Sequence, residues 1–378
     1  MKKYCFFFLV LILAYNFVSA QNQEDNKPKF YLHSIADTAG NPERKEIVDF
    51  WINFLYEESD SVRRTYWKPS EIKRFGDDYA LFYNSLFQYP PKALLNYFKP
   101  YILSIYLEDN IYHVVTAFWN FNFIPRDTSA KQNSNPFAIL EIGIVKENNH
   151  LYLLNLFDKR VQNWNRINYG KITYIIEPPL SPDKLEMKQA NVFVDSLTNI
   201  FSDDIDSITY VVCKTPQTLG YLLGFNFFFA GFTSGKTFIN AKMIISGRGT
   251  FNYPHELTHI VLDPLLTPGH FLSEGLATFF GGSKEKTYSQ LLEEFKSRYP
   301  IITDSTVDKI IVKPNLPVAY TFGALVVNAI YKNYGITGLV KLKASPNKAN
   351  ESLNHICKVF SLTRNQIYNL MNSILKDI

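Results

Sequence analysis

The chain has 378 residues, 39 Lys+Arg against 35 Asp+Glu, and a net charge of +4. Removing residues 1–20, which carry only Lys2 and Lys3 as charged groups, leaves a balance of +2. That gives no electrostatic case for a nucleic-acid or membrane-surface partner. The length suggests two domains with ample core, and 24 Tyr and 31 Phe can fill them.

The first 20 residues read as a cleavable export signal: Lys2 and Lys3, the apolar run CFFFLVLILA from Cys5 to Ala14, then Val18-Ser19-Ala20. The run is too short to span a bilayer, and no later run is longer without a break. The expectation is a mature protein with no membrane-spanning segment, periplasmic or secreted after cleavage near Ala20. Outside the signal only Cys213 and Cys357 remain. An oxidising compartment would permit them to pair, but two cysteines carry no spacing information.

From Asn41 the stretch EIVDFWINFLYEESDSVRRTYW places Ile47, Phe50, Trp51, Phe54 and Leu55 at helical spacing. Further short helices are expected before Lys99. The period then drops to two in YILSIYL (101–107), YHVVTAFW (112–119), FAILEIGIV (137–145) and LYLLNLF (151–157), separated by the turn clusters EDN and KENN. An antiparallel meander covered by helices is an α+β cone. This order resembles cystatin-like or nuclear-transport-factor-like domains in architecture, with no motif residues behind the likeness. His113 and His150 read as structural or surface histidines.

A second domain is expected over 170–378, after an N-terminal α+β domain of unknown role over 21–169. KITYIIEP (171–178), SITYVVCK (207–214) and GKTFINAKMIIS (235–246) read as strands, and DKLEMKQANVFVDSLTNIF (183–201) as a helix. YLLGFNFFFAGF (221–232), broken by glycine and asparagine, reads as buried strand and loop. From there to the end the pattern is mostly helical.

The segment from Tyr253 to Gly282 carries HELTH and, after a loop, SEGLA. Residues four apart share a helix face, so His255 and His259 can aim imidazole nitrogens at one ion. Glu256 lies off that axis, within reach of a water beside the ion, and suits a general base. Pro254 fits a first helical turn, and Asp263-Pro264 is expected to end the helix. FLSEGLATFF then resumes helical spacing up to Gly281-Gly282 and puts Glu274 on a second helix that can fold back. Gly275, Ala277 and Thr278 would let those two backbones approach closely. A catalytic zinc site needs three protein ligands and an open position; Glu274 is the choice for the third, with Asp263 and His270 as competitors. The metzincin pattern would need glycine at 262 and histidine at 265, where this chain has Leu262 and Leu265.

HELTH with a downstream SEGLA resembles the gluzincin metallopeptidases, the group of thermolysin and the bacterial peptidase MA-like proteins. The string HELTHIVLD is similar to the thermolysin helix. The resemblance covers roughly residues 170–378 and is specific only over 255–278. It implies one Zn²⁺ on His255, His259 and Glu274, Glu256 as general base, a thermolysin-like domain with a small sheet and a helical C-terminal half, and a peptide or protein substrate. Fourteen residues separate His259 from Glu274, fewer than in thermolysin, and Thr278 stands where thermolysin has an aspartate that orients a ligand histidine; Asp263 could substitute. LPVAYTFGALVVNAIYKNYG (316–335) resembles the downstream helix whose early tyrosine donates to the oxyanion, which makes Tyr320 a catalytic candidate. The same group binds extended peptides along an edge strand, here expected within Thr237–Ile245. The alternatives are a catalytically silent binding or scaffold protein with the same fold, and a zinc hydrolase of a non-peptide amide. Oligomeric state is left open by the sequence.

Overall fold

A computed structural model of the chain describes residues 29–87, 91–120, 136–201, 205–312 and 316–378. The expected export signal therefore lies outside the described residues. The fold mixes α-helices with two mixed sheets.

Strand β1 (Tyr31–Leu32) runs parallel to the backbone at Tyr101 and Ile102. Helix α1 (Pro42–Tyr56) starts where the Asn41 side chain accepts the Arg44 amide hydrogen, with proline in its first turn. The long helix expected through Trp67 is two: Ser59 accepts the Val62 amide and starts α2 (Asp60–Thr65). A local cap overrode an apolar period that runs on across the break. α3 (Pro69–Phe75), α4 (Tyr83–Leu86) and α5 (Pro91–Tyr97) follow. The antiparallel meander comprises β2 (Lys99–Glu108), β3 (Ile111–Trp119), β4 (Ala138–Glu147) and β5 (His150–Leu154). Two-residue turns at Asp109-Asn110 and Asn148-Asn149 take positive φ at both positions, as tight hairpins demand. The last strand is shorter than expected, because Phe157 opens helix α6 (Phe157–Arg160). Helix α1 covers one face of the meander: Trp51 is fully buried and its indole N–H donates to Thr116 at 2.9 Å.

The second sheet begins before the expected boundary at residue 170. β6 (Asn165–Tyr169) pairs with β7 (Ile172–Ile176), and after α7 (Lys184–Phe201) comes β8 (Ile208–Val212). Then follow α8 (Pro216–Leu222), β9 (Phe225–Phe228), β10 (Gly235–Phe238) and β11 (Met243–Ser246). The sheet order is β10-β11-β8-β7-β6, with β7, β8 and β11 parallel and an antiparallel strand at each edge. The expected single strand over 235–246 is thus a hairpin, reversed through a turn in which Lys242 takes φ 44°. Only its first half, Gly235–Phe238, lies at the edge; Met243–Ile245 is inside the sheet.

The core divides along the two faces of this sheet and not along the chain. Tyr174, Ile208, Tyr210, Val212 and Ile244 pack on the C-terminal helices. Ile175, Val211, Cys213, Met243 and Ile245 pack with Phe75, Phe82 and Phe118 of the N-terminal part. Burial on both faces is why these strands read as continuous apolar runs. β9 reinforces the junction by pairing with β4, so a strand from the second half completes the first sheet.

The remainder is helical: α9 (Pro254–Leu266), α10 (His270–Gly281), α11 (Tyr288–Arg298), α12 (Asp304–Val312), α13 (Leu316–Val340), α14 (Ala349–Phe360) and α15 (Arg364–Lys376). Gly335, at φ 62°, breaks α13 where its helical pattern was expected to end. Pro264 does not stop α9, as the sequence suggested. The helix runs on to buried Leu266, whose carbonyl accepts the Ala344 amide, and ends at Thr267 in the left-handed region. A proline so near the end forfeits little of the ladder. Cys213 and Cys357 are both free thiols. Among the described residues no helix is long and apolar enough to cross a membrane.

Candidate active site

Helix α9 is buried along its first two turns, from His255 to Leu262. Leu257, Ile260 and Val261 anchor it in the core beneath the second sheet, and this sets the direction in which the opposite face points. His255, Glu256 and His259 are themselves 7–9% exposed. They look into a recess between α9, α10 and the edge strand β10, not onto open surface.

Each imidazole is oriented through its Nδ1. His255 Nδ1 lies 2.7 Å from the carbonyl oxygen of Gly282. A carbonyl only accepts, so Nδ1 is the donor there, and Nε2 is the nitrogen that faces Glu274. His259 Nδ1 lies 3.0 Å from Asp263 Oδ2, and the Ser273 hydroxyl donates to that same oxygen at 2.8 Å. Both Nε2 atoms are therefore presented as ligands, each fixed by a partner on the far side of its ring. Burial alone would discourage charging of His259. The Asp263 hydrogen bond, with the charges of Asp263, Glu256 and Glu274, outweighs it and raises the metal-free side chain to about 9. An arriving cation displaces that proton.

Glu274 completes the group. Its carboxylate lies 3.2 Å from His255 Nε2 and 3.9 Å from His259 Nε2. One ligand atom from each of the three residues lies within 4.8 Å of the other two, and they form the metal-capable cluster found among the described residues. A tetrahedral ion with ligands at ~2.0–2.1 Å has ligand–ligand edges of about 3.4 Å, which the two distances from Glu274, 3.2 and 3.9 Å, bracket. Side-chain exposures of 8%, 10% and 16% for His255, His259 and Glu274 leave the cluster shielded yet reachable. Burial pushes the Glu274 carboxyl up, but the His255 hydrogen bond and the neighbouring imidazoles hold it below its usual value, in the ionised form a cation requires. This group could hold a metal ion.

The two competitors for the third position fall elsewhere. Asp263 sits on the Nδ1 side of His259, away from the convergence point. His270 reaches within 3.9 Å of Glu274 but its side chain is 67% exposed. Thr278 is fully buried and its hydroxyl makes no hydrogen bond, so it orients neither histidine. The carbonyl of Gly282 serves His255, while Asp263 serves His259.

Glycines set the close approaches. A Cβ on Gly281 would collide with the backbone of Pro254 and His255, so a bare Cα brings the end of α10 against the start of α9 and Gly282 within reach of His255. Gly275, expected to ease the α9–α10 contact, instead faces α13: a Cβ there would lie 2.6 Å from the Gly323 carbonyl carbon. That crossing brings Tyr320, one turn before Gly323, over the site. Its ring stacks on His255 at 6.3 Å between centroids. Burial, then the carboxylates of Glu274 and Glu256, hold the Tyr320 phenol far above its ordinary value, so it remains a proton donor.

Glu256, one residue beyond His255, turns toward β10. The Thr237 hydroxyl donates to its Oε2 at 2.5 Å. Gly235 passes so close that a Cβ would lie 2.5 Å from its Oε1. Neither Thr237, Gly235, Ser273 nor Gly282 was singled out in the sequence for these contacts. Ser273 could have been, since it immediately precedes Glu274. The others are joined to the site only by tertiary packing.

Neither protein-family models nor the curated proteins provide a match to this chain. The geometry and the resemblance of the HELTH and SEGLA segments carry the functional reading.

Proposed function

We propose that the protein is an exported zinc-dependent peptidase of the gluzincin type. The observation supporting this most directly is the convergence of His255, His259 and Glu274 within 4.8 Å, with Glu256 beside them on the same helix. The edge position of β10 next to Glu256 supports a peptide substrate, because an unpaired strand edge can take an extended chain as a further strand. The N-terminal part, with α1 over a meander, accords with a cystatin-like cone.

Zinc bound by the three side chains would polarise the scissile carbonyl and acidify a water. The protein's own groups do the rest. Glu256 accepts the proton of the attacking water and passes it to the departing amine nitrogen, regenerating its carboxylate. The protonated Tyr320 phenol donates a hydrogen bond to the oxygen that gains charge as the carbonyl carbon becomes tetrahedral. Asp263 and Gly282 hold the imidazoles in their ligand tautomers throughout. Burial excludes bulk water and strengthens each of these interactions.

The test is metal analysis paired with digestion of a peptide library read by mass spectrometry. The wild type is expected to carry close to one zinc and to cleave. Glu256→Gln should keep the zinc and lose cleavage. A wild type without zinc, or a Gln variant of undiminished activity, would remove the assignment.

A further inference from the structure

Resting on the peptidase reading, we infer that Thr237 is a positioning residue that aims the general base from the edge strand. β10 alternates its side chains between the two faces of the sheet. Lys236 and Phe238 turn toward the N-terminal part, where Phe238 meets Phe75 at 5.8 Å between ring centroids. Gly235 and Thr237 turn toward α9. The two residues act on opposite oxygens of the same carboxylate. Thr237 donates to Oε2 at 2.5 Å, and Gly235 leaves Oε1 room that a methyl group would fill.

A buried Glu side chain has three rotatable bonds. The Thr237 hydroxyl is the side-chain donor that holds its carboxylate, on the side of the strand. A base that drifted onto the ligand set would act as a fourth ligand and occupy the position solvent needs. The threonine hydroxyl holds one oxygen on the strand side, so the second oxygen is the one that takes the proton. The same strand is the one against which the peptide would lie. Substrate and base are therefore registered to one short segment of backbone, and a shift of β10 moves both together.

Thr237→Val keeps the shape and β-branching and removes only the hydroxyl. Thr237→Ser keeps the hydroxyl and removes only a methyl group. The expected result for Thr237→Val is unchanged zinc content, unchanged KM, and kcat lower by about 10- to 100-fold, the range seen when groups that orient catalytic side chains are removed. Thr237→Ser should restore kcat to within about threefold of wild type. Crystal structures of the metal-free variants give a readout independent of turnover: Glu256 should leave the strand in Thr237→Val and keep its hydrogen bond in Thr237→Ser. Equal losses in both variants, or a fully active Thr237→Val with Glu256 undisplaced, would overturn the inference while leaving the peptidase reading intact. A wild-type protein that binds zinc but cleaves nothing would defeat the peptidase reading itself. In that event the crystal structures alone decide whether Thr237 positions Glu256.

Discussion

Replacing Gly275 by alanine tests whether the α10–α13 crossing sets the geometry of the metal-capable group. The added Cβ would sit 2.6 Å from the carbonyl carbon and 2.8 Å from the carbonyl oxygen of Gly323. Ordinary contact begins near 3.4 Å, so the two backbones must part by about 0.8 Å. These atoms belong to main chain in two buried helices, and no flexible side-chain end is available to yield. Overpacking of this kind costs about 1–3 kcal/mol, which for a protein of this size lowers Tm by about 1–4 °C. The parting also carries Glu274, the neighbour of Gly275, away from Tyr320 and off the paired imidazoles. Zinc affinity measured by competition with a chromophoric chelator should fall by about tenfold or more. Gly323→Ala approaches the same crossing from the other side, with its Cβ 2.8 Å from the Phe271 carbonyl oxygen, and should shift both quantities in the same direction. An alanine variant at 275 with wild-type Tm and wild-type zinc affinity would refute the argument that this contact is close and rigid.

Other perturbations separate the remaining parts. Asp263→Asn keeps the size of the side chain but removes the charge that holds His259, and should weaken zinc binding by about 10- to 100-fold, against an expected change of less than twofold for a surface substitution such as Lys332→Gln. Glu141, half-buried in the first sheet, is discouraged from ionising by desolvation, but donors from His113 and Tyr106 and the charge of Arg160 win and hold it at about 2. Its contribution to stability is thus fully present above its unfolded value, near 4.3, and is lost as pH falls toward 2. Glu141→Gln should cost about 1–3 kcal/mol at neutral pH, and denaturation curves should show that gap closing across this acid window; a gap independent of pH would contradict the assignment. A fragment of residues 170–378 lacks β6 and bares Val211, Cys213, Ile245 and Phe238, so it should be insoluble or molten by near-UV circular dichroism. Cooperative unfolding of that fragment with zinc bound would show that the halves fold independently.

What could be read in advance was local in the chain. The meander strands, α1, α7 and the HELTH helix each announce themselves by a period within one short window, and the spacing of His255 and His259 is a consequence of the helical repeat alone. Glu274 was reachable because one loop separates its helix from the first. The misreadings are non-local. Nothing in FNFF indicates that β9 will pair with β4 more than 80 residues earlier, and that pairing is what blurs the boundary expected at 170. β6, with its polar NRINY sequence, is held as an edge strand by pairing with β7 and not by its own pattern. The break before α2 is a local exception, set by the Ser59 cap, whereas α9 continues past Pro264 to a Leu266 carbonyl that accepts the distant Ala344 amide. Gly275 illustrates the same limit: its smallness was evident, but only the folded chain shows that Gly323 is the backbone it accommodates.

The two imidazoles of the metal-capable group depend on unlike anchors. His259 leans on the Asp263 and Ser273 side chains, either of which a single codon change can abolish. His255 leans on a main-chain oxygen that every amino acid at position 282 would carry, provided the chain can still take φ 73° there. Drift in the encoding gene is therefore free to erode the support of one imidazole through side-chain chemistry, but can reach the other only by bending the backbone. Homologous chains should vary around 263 and 273 together, and hold a residue tolerant of left-handed geometry at 282.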